Sequence, residues 1–222
     1  MGYWAYYLLV FFAYWAVDHP AVLVLLLVLF VVRRWVPDPF VFLRTIGHIS
    51  RLKKQVAANP SNVTARRDLA RIYLERLRPG TALTLLEEAL ARDAESPELL
   101  FLRGQALHRT GRHEEALGPL VDAVAKDPRV GFGEAYRVAG DALRELKRHA
   151  EAVDAYERFL KKNSSSVEGY AKLALAHRGA KDEPASKEAL AEGLRTFAQL
   201  PGYKRRAELG WYLRAQLLRL FI

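Results

Sequence analysis

Two columns of small residues run through this chain at the same unequal steps, and no other feature restricts its fold so strongly. Ala70, Gly104, Gly140 and Ala174 are separated by 34, 36 and 34 residues, and Ala82, Ala116, Ala152 and Ser186 repeat those steps. Self-similarity at such a period is the mark of a repeat architecture, in which each unit buries its apolar face only against its neighbours. Four segments align, beginning at Ala65, Leu99, Ala135 and Gly169. Each holds two amphipathic helical patterns separated by a short polar or glycine-containing break, as in "RLRPG", "RTGRH" and "LKRHA". The small residues mark close approaches of helix backbones. Leu69, Tyr73, Leu86, Leu107, Leu120, Leu143 and Tyr156 are the predicted fillers between helices, and Pro60 and Pro128 end helices.

The second segment carries the fullest pattern: Gly104, Leu107, Gly111, Ala116, Leu120, Ala123 and Pro128. This array resembles the tetratricopeptide repeat (TPR) over residues 59–199. The resemblance implies an all-α solenoid of four TPR repeats within residues 59–200 (63–96, 97–130, 133–166 and 167–200). Two departures stand out. The third repeat has two extra residues near Val130–Phe132, and the fourth has Pro184 inside its turn and Gly193 where alanine is usual, so the fourth is expected to be looser.

Residues 201–222 read as an amphipathic C-terminal capping helix, with Leu209-Gly210 and Leu213 in register with earlier first helices. Its end, "LLRLFI", is too apolar for a plain solvated cap. Two readings stand: either Leu213, Leu217 and Leu220 simply pack on the fourth repeat, or the remaining Trp211, Leu218, Phe221 and Ile222 make a self-association or membrane contact.

The first 36 residues belong to another regime. Before Arg33 the only charged residue is Asp18, and Asp18-His19-Pro20 divides two apolar runs, 3–17 and 21–32. One continuous helix to Val36 would be about 50 Å long, well beyond a hydrocarbon core of about 30 Å. Pro20 breaks helix and a charged pair prefers an interface, so residues 1–36 read as a transmembrane hairpin turning at 18–20. A single span over 20–36, with residues 1–17 in the interface, is the other reading. Trp4 and Trp15 suit an interfacial or subunit contact. A cleaved signal peptide is disfavoured because no basic segment precedes the apolar run.

The net charge of +9 sits at the two ends: +5 in residues 33–58, +4 in 203–222 and only +1 in 59–202. Residues 37–58 are expected to form a basic juxtamembrane helix or linker. Basic residues after the last span place the array in the cytoplasm, and the layout is similar to bacterial inner-membrane TPR proteins. A nucleic-acid binder would carry its basic stripe over the body of the domain, so nucleic acid is excluded as a partner. With no cysteines, disulfides and cysteine-based metal sites are excluded.

No phosphate-cradling loop, nucleophile elbow or metal-binding His-Glu-x-x-His is present, so neither an enzyme nor a cofactor or metal site is indicated. His108 and His113 are five residues apart across a helix end, a poor metal geometry.

What the TPR resemblance implies is a concave groove lined by first helices. The groove positions would be Arg67 and Arg71, then Phe101, Gln105, His108 and Arg109. Arg137, Asp141 and Arg144 would follow, then Lys172, Leu175 and Arg178. Arginines exceed acids there, with the acids expected elsewhere. Such a surface suits a protein partner with an acidic segment or a free C-terminal carboxylate. The chain does not reproduce the lysine-and-asparagine clamp of chaperone-binding TPR domains. The expectation is a membrane-anchored adaptor binding partner proteins at the cytoplasmic face. The alternative is a structural subunit of a membrane complex, its aromatic spans packed on other subunits.

Overall fold

The computed structural model describes residues 39–220. Among them are ten α-helices, one short 3-10 turn and no strand. The helices are α1 (Pro39–Ala58), α2 (Val63–Glu75), α3 (Pro79–Leu90), α4 (Pro97–Arg109), α5 (His113–Lys126), α6 (Glu134–Glu145), α7 (His149–Lys162), α8 (Val167–Gly179), α9 (Glu183–Gln199) and α10 (Gly202–Leu218). The 3-10 turn, Val130–Gly133, precedes α6. Helices α2, α4, α6 and α8 are the first helices of four hairpins, and α3, α5, α7 and α9 are their second helices.

Each hairpin turns by the same device. Leu77, Gly111, Lys147 and Lys181 all adopt positive φ, between 55° and 81°, at the steps seen in the small-residue columns. The next residue then donates its backbone N–H back to the closing turn of the first helix: Arg78 to Tyr73, Arg112 to Leu107, Arg148 to Leu143 and Asp182 to His177, at 2.9 to 3.0 Å. This satisfies carbonyls that the helix end leaves without partners. Only the second repeat uses glycine, for which this conformation is unstrained. Asn62, Ser166 and Asp182 cap α2, α8 and α9, each accepting a backbone N–H with its side-chain oxygen.

Packing within hairpins explains the small columns. A Cβ placed on Gly104 would lie 2.5 Å from Leu120 Cγ, and one on Gly140 would lie 2.7 Å from Tyr156. Ala82, Ala116, Ala152 and Ser186 are wholly buried. Ser186 keeps its hydroxyl satisfied by donating to the Ala174 carbonyl at 2.8 Å. Two clusters form the core. One runs from Ile49 to Val138 and the other from Leu143 to Ala215, so they abut within α6.

The fourth repeat is not opened by its departures. Pro184 falls in the first turn of α9, where its missing N–H is not needed, and Gly193 lies against Tyr170, whose Cβ would be 2.8 Å from an added methyl. Each supposed irregularity has a packing or capping reason.

Helix α1 docks on α2 through Ile49, Leu52 and Val56, while Arg44, Arg51, Lys53 and Lys54 face solvent. Arg76 Nε donates to Thr45 Oγ1 at 2.8 Å across that junction. At 20 residues α1 is the longest described helix, and it is amphipathic rather than apolar all round. Among the described residues no helix is long and apolar enough to cross a membrane. The integral-membrane localisation expected from the sequence, with the array on the cytoplasmic face of a bacterial inner membrane, is corrected accordingly. The expected hairpin over residues 1–36, with Trp4 and Trp15, lies outside the described residues.

Candidate functional site: the first-helix face

Successive first helices touch one another, α4 on α6 and α6 on α8, whereas the second helices make no comparable contact. Shorter spacing on one side curves the stack, so the first helices line its concave face.

That face is a ladder of ion pairs. Arg67 Nη1 donates to Glu98 at 2.8 Å, and Arg71 pairs with the other oxygen of the same carboxylate, tying α2 to α4. On α6, Arg137 reaches Glu134 at 2.5 Å, Asp141 at 3.1 Å and Glu168 of α8 at 3.2 Å. Lys172 of α8 answers with Asp141 at 2.7 Å and Glu168 at 2.8 Å. Beneath them the Tyr156 hydroxyl donates to Asp141 Oδ1 at 2.7 Å. Acids therefore share this face with the arginines. The excess of arginines at the groove positions of a nearly neutral array implies acids elsewhere, but Glu98 and Glu168, in the first turns of their helices, reach onto this face.

Electrostatics follow the geometry. Burial alone pushes the Asp141 carboxyl up, but Lys172, Arg137 and the Tyr156 hydroxyl outweigh it and hold the group below its ordinary value. Burial and the adjoining Asp141 carboxylate push the Tyr156 phenol well up. Arg137 is likewise desolvated, yet Glu168, Glu134 and Asp141 raise it and keep it charged. His108 is lowered, chiefly by burial, and its Nδ1 lies 3.1 Å from that of His113. No group of three or more metal-ligating side chains occurs among the described residues.

The remaining predicted groove residues divide. Arg109 donates to the Leu74 carbonyl at 2.5 Å and so closes the end of α2. Phe101 is buried under Gly131, and Gln105 and Leu175 are half-buried on α4 and α8. Arg178 is exposed. Arg144 reaches Glu145 at 3.2 Å with one nitrogen, while its buried Nε has no hydrogen-bond partner.

Phe132 escaped the sequence reading. Gly131, Phe132 and Gly133 all have positive φ, and Phe132 is 88% exposed at the rim of a pocket that also contains Arg71, Glu98 and Phe101. Asn163 Nδ2 donates to the Phe132 carbonyl at 2.6 Å and holds the ledge in place. The two-residue insertion was the available signal.

At the other end, Trp211 closes the groove. Lys172 Nζ stands 5.5 Å and the Arg214 guanidinium 4.7 Å from its ring. Trp211 and Leu218 pack against the second core cluster, and Leu209, Leu213, Leu217 and Leu220 are the exposed side of α10. This reverses the assignment of the two faces of α10 made from sequence, because Ala215 is the residue at the crossing and Trp211 and Leu218 share its side of the helix. Phe221 lies outside the described residues.

A tetratricopeptide-repeat family model matches residues 67–130, and a second matches 134–166. Residues 67–130 and 134–166 are tetratricopeptide repeats. Among curated proteins it is similar to small glutamine-rich tetratricopeptide repeat-containing protein 2 of Mycosarcoma maydis. The two are 32% identical over 120 residues, 46% of this chain and 34% of the relative. The chain thus spans about a third of that relative's length. Among solved structures, MamA superposes with a TM-score of 0.63 at 23% identity, covering 70% of this chain and 86% of that one. YrrB, described as a TPR protein with an unusual peptide-binding site, superposes with a TM-score of 0.62 at 16% identity, covering 83% and 93%. These likenesses concern the fold alone.

Proposed function

We propose that this TPR array is an adaptor whose concave face receives a segment of a partner protein bearing a carboxylate, either an acidic side chain or a free C-terminus. The observation that carries the reading is Arg144. Its Nε is buried without a hydrogen-bond partner on the groove side of α6, beside a network in which Arg137, Asp141 and Lys172 already satisfy one another. The Arg144 side chain is 31% exposed, so a ligand carboxylate reaches its outer nitrogens and forms charge-assisted hydrogen bonds there, while Nε itself stays buried. Arg178, at the matching position of the next repeat, adds an exposed guanidinium. The Phe132 ledge offers an apolar anchor, and the similarly folded YrrB, a TPR protein with an unusual peptide-binding site, supports the reading.

The test is peptide selection by phage display on the full chain, with the Arg144→Ala/Arg178→Ala double variant in parallel. Selected peptides should be rich in Asp or Glu, or require a free C-terminus, and should lose at least tenfold in affinity on the double variant. Peptides of no charge preference that bind both proteins equally would overturn the reading.

A further inference from the structure

In α4 and α6 the small residue of the first helix is a seat. Gly104 receives Leu120 of α5, and Gly140 receives Tyr156 of α7. Gly210 occupies the same register in α10, 70 residues after Gly140, yet nothing lies within 4 Å of a Cβ placed on it. The residue three on behaves likewise. Leu143 is 8% exposed beneath α7, whereas its counterpart Leu213 is 54% exposed, and Leu209, Leu217 and Leu220 continue the bare stripe. Helix α10 thus has the sequence of a first helix and, among the described residues, no second helix on it.

The neighbouring groove matches. In the second repeat Leu120, Val121 and Val124 form one wall of a groove that α6 and α7 complete. The corresponding residues of α9, Leu190, Ala191 and Leu194, are followed among the described residues by α10 alone, and Lys187 and Arg219 make the rim basic, Arg195 being paired with Glu192 at 3.1 Å. Within the array, second helices place acids in their first turn, Glu114 and Glu115 in α5 and Glu151 in α7, and Glu114 reaches across to Arg148 at the start of the next second helix at 3.2 Å.

We propose that this face of α10, with the groove beside α9, is a docking site for an amphipathic helix of a partner protein. That helix completes a fifth repeat in trans, with a leucine or tyrosine seated on Gly210 and acidic residues in its first turn against the basic rim. Charge decides between this occupant and a second copy of the chain. Two copies meeting through this face set Lys187 and Arg219 against their like, whereas an acidic helix neutralises them. The mode is a helix laid in a groove and read at i, i+3, i+4 and i+7.

The probe is a fluorescein-labelled peptide of residues 112–127, which contains α5, carries a net charge of −2 and presents Leu120. Its binding to the full chain is followed by fluorescence anisotropy, against two variants. Gly210→Leu fills the seat from within, and its Cβ has nothing within 4 Å in the free chain. Gly118→Leu makes the same change at another open helical site and serves as control. Saturable binding that weakens at least tenfold with Gly210→Leu, is unchanged with Gly118→Leu, and falls with salt supports the site. A Leu120→Arg peptide should not bind, and Arg144→Ala/Arg178→Ala should leave binding intact, which separates this face from the concave groove. Absence of saturable binding up to about 1 mM, a K_d worth only about 4 kcal/mol, overturns the proposal. So does equal binding by both glycine variants, or a dimer in sedimentation that Gly210→Leu dissolves and the peptide does not displace.

Discussion

Tyr156 packs its ring against Gly140 and donates its hydroxyl to Asp141, the next residue, at 2.7 Å. One side chain thus sets both the closest helix approach in the third repeat and the electrostatics of the concave face. Asp141 in turn holds Lys172 of the following repeat, so hairpin packing and repeat stacking share a residue.

Gly140→Ala and Gly210→Ala are the same substitution in the same register with opposite expected signs. At Gly140 the methyl group meets the Tyr156 ring and destabilises the array by about 1–3 kcal/mol. At Gly210 it meets nothing, and helix propensity stabilises by up to about 1 kcal/mol. Urea denaturation of both variants decides the matter, and equal effects would refute the seat.

Tyr156→Phe should cost about 1–2 kcal/mol through the hydrogen bond lost to a buried carboxylate. Asp141→Leu should cost more, because Lys172, Arg137 and the Tyr156 hydroxyl each lose a partner at once and Glu168 is the carboxylate that Lys172 and Arg137 still share. A cost below that of Tyr156→Phe would show that the ladder is not cohesive.

Acid stability should fall in two windows. His108 is lowered by burial, so its contribution is full above the ordinary value of 6.5 and is lost as pH falls through its lower folded value. Asp141 is also lowered, and its contribution is full above 3.8 and is lost as pH falls further. In stability–pH curves His108→Gln should remove the upper slope only and Asp141→Asn the lower slope only.

Leu77, Lys147 and Lys181 hold a left-handed conformation that their side chains resist. Replacing exposed Leu77 by glycine, the residue that stands at this position in the second repeat, should stabilise by about 1 kcal/mol. A drop in melting temperature would mean that the Leu77 side chain has a packing role outweighing its strain.

Phe132→Gly separates stability from binding. Relief of the positive φ at an 88% exposed side chain should raise stability by about 1 kcal/mol, while affinity for groove-selected peptides falls. If affinity holds, the ledge is not an anchor.

Much of the fold was legible because repeats declare themselves through spacing. The small columns located the hairpins, and Leu120 and Tyr156 were readable as fillers because large residues recur opposite small ones. The concave face was only half legible. Arg67, Arg71 and Arg137 could be assigned to one surface by register, but their partners Glu98 and Glu168 lie 27 to 31 residues away along the chain, and a carboxylate in a first helical turn has a local explanation already. The loop residue Phe132 was hidden because an insertion has no register.

The sequence by itself determined that the chain is an array of helical hairpins, since a two-column period of 34 to 36 residues admits little else. Tertiary structure decided which charges remain open and which face of α10 is bare. The physical reason is that periodicity specifies which side of a helix is apolar only when one neighbour covers it. A terminal helix such as α10 carries apolar residues on two sides, and only the crossing at Ala215 shows that Trp211 and Leu218 are turned inward and Leu209, Leu213 and Leu217 outward.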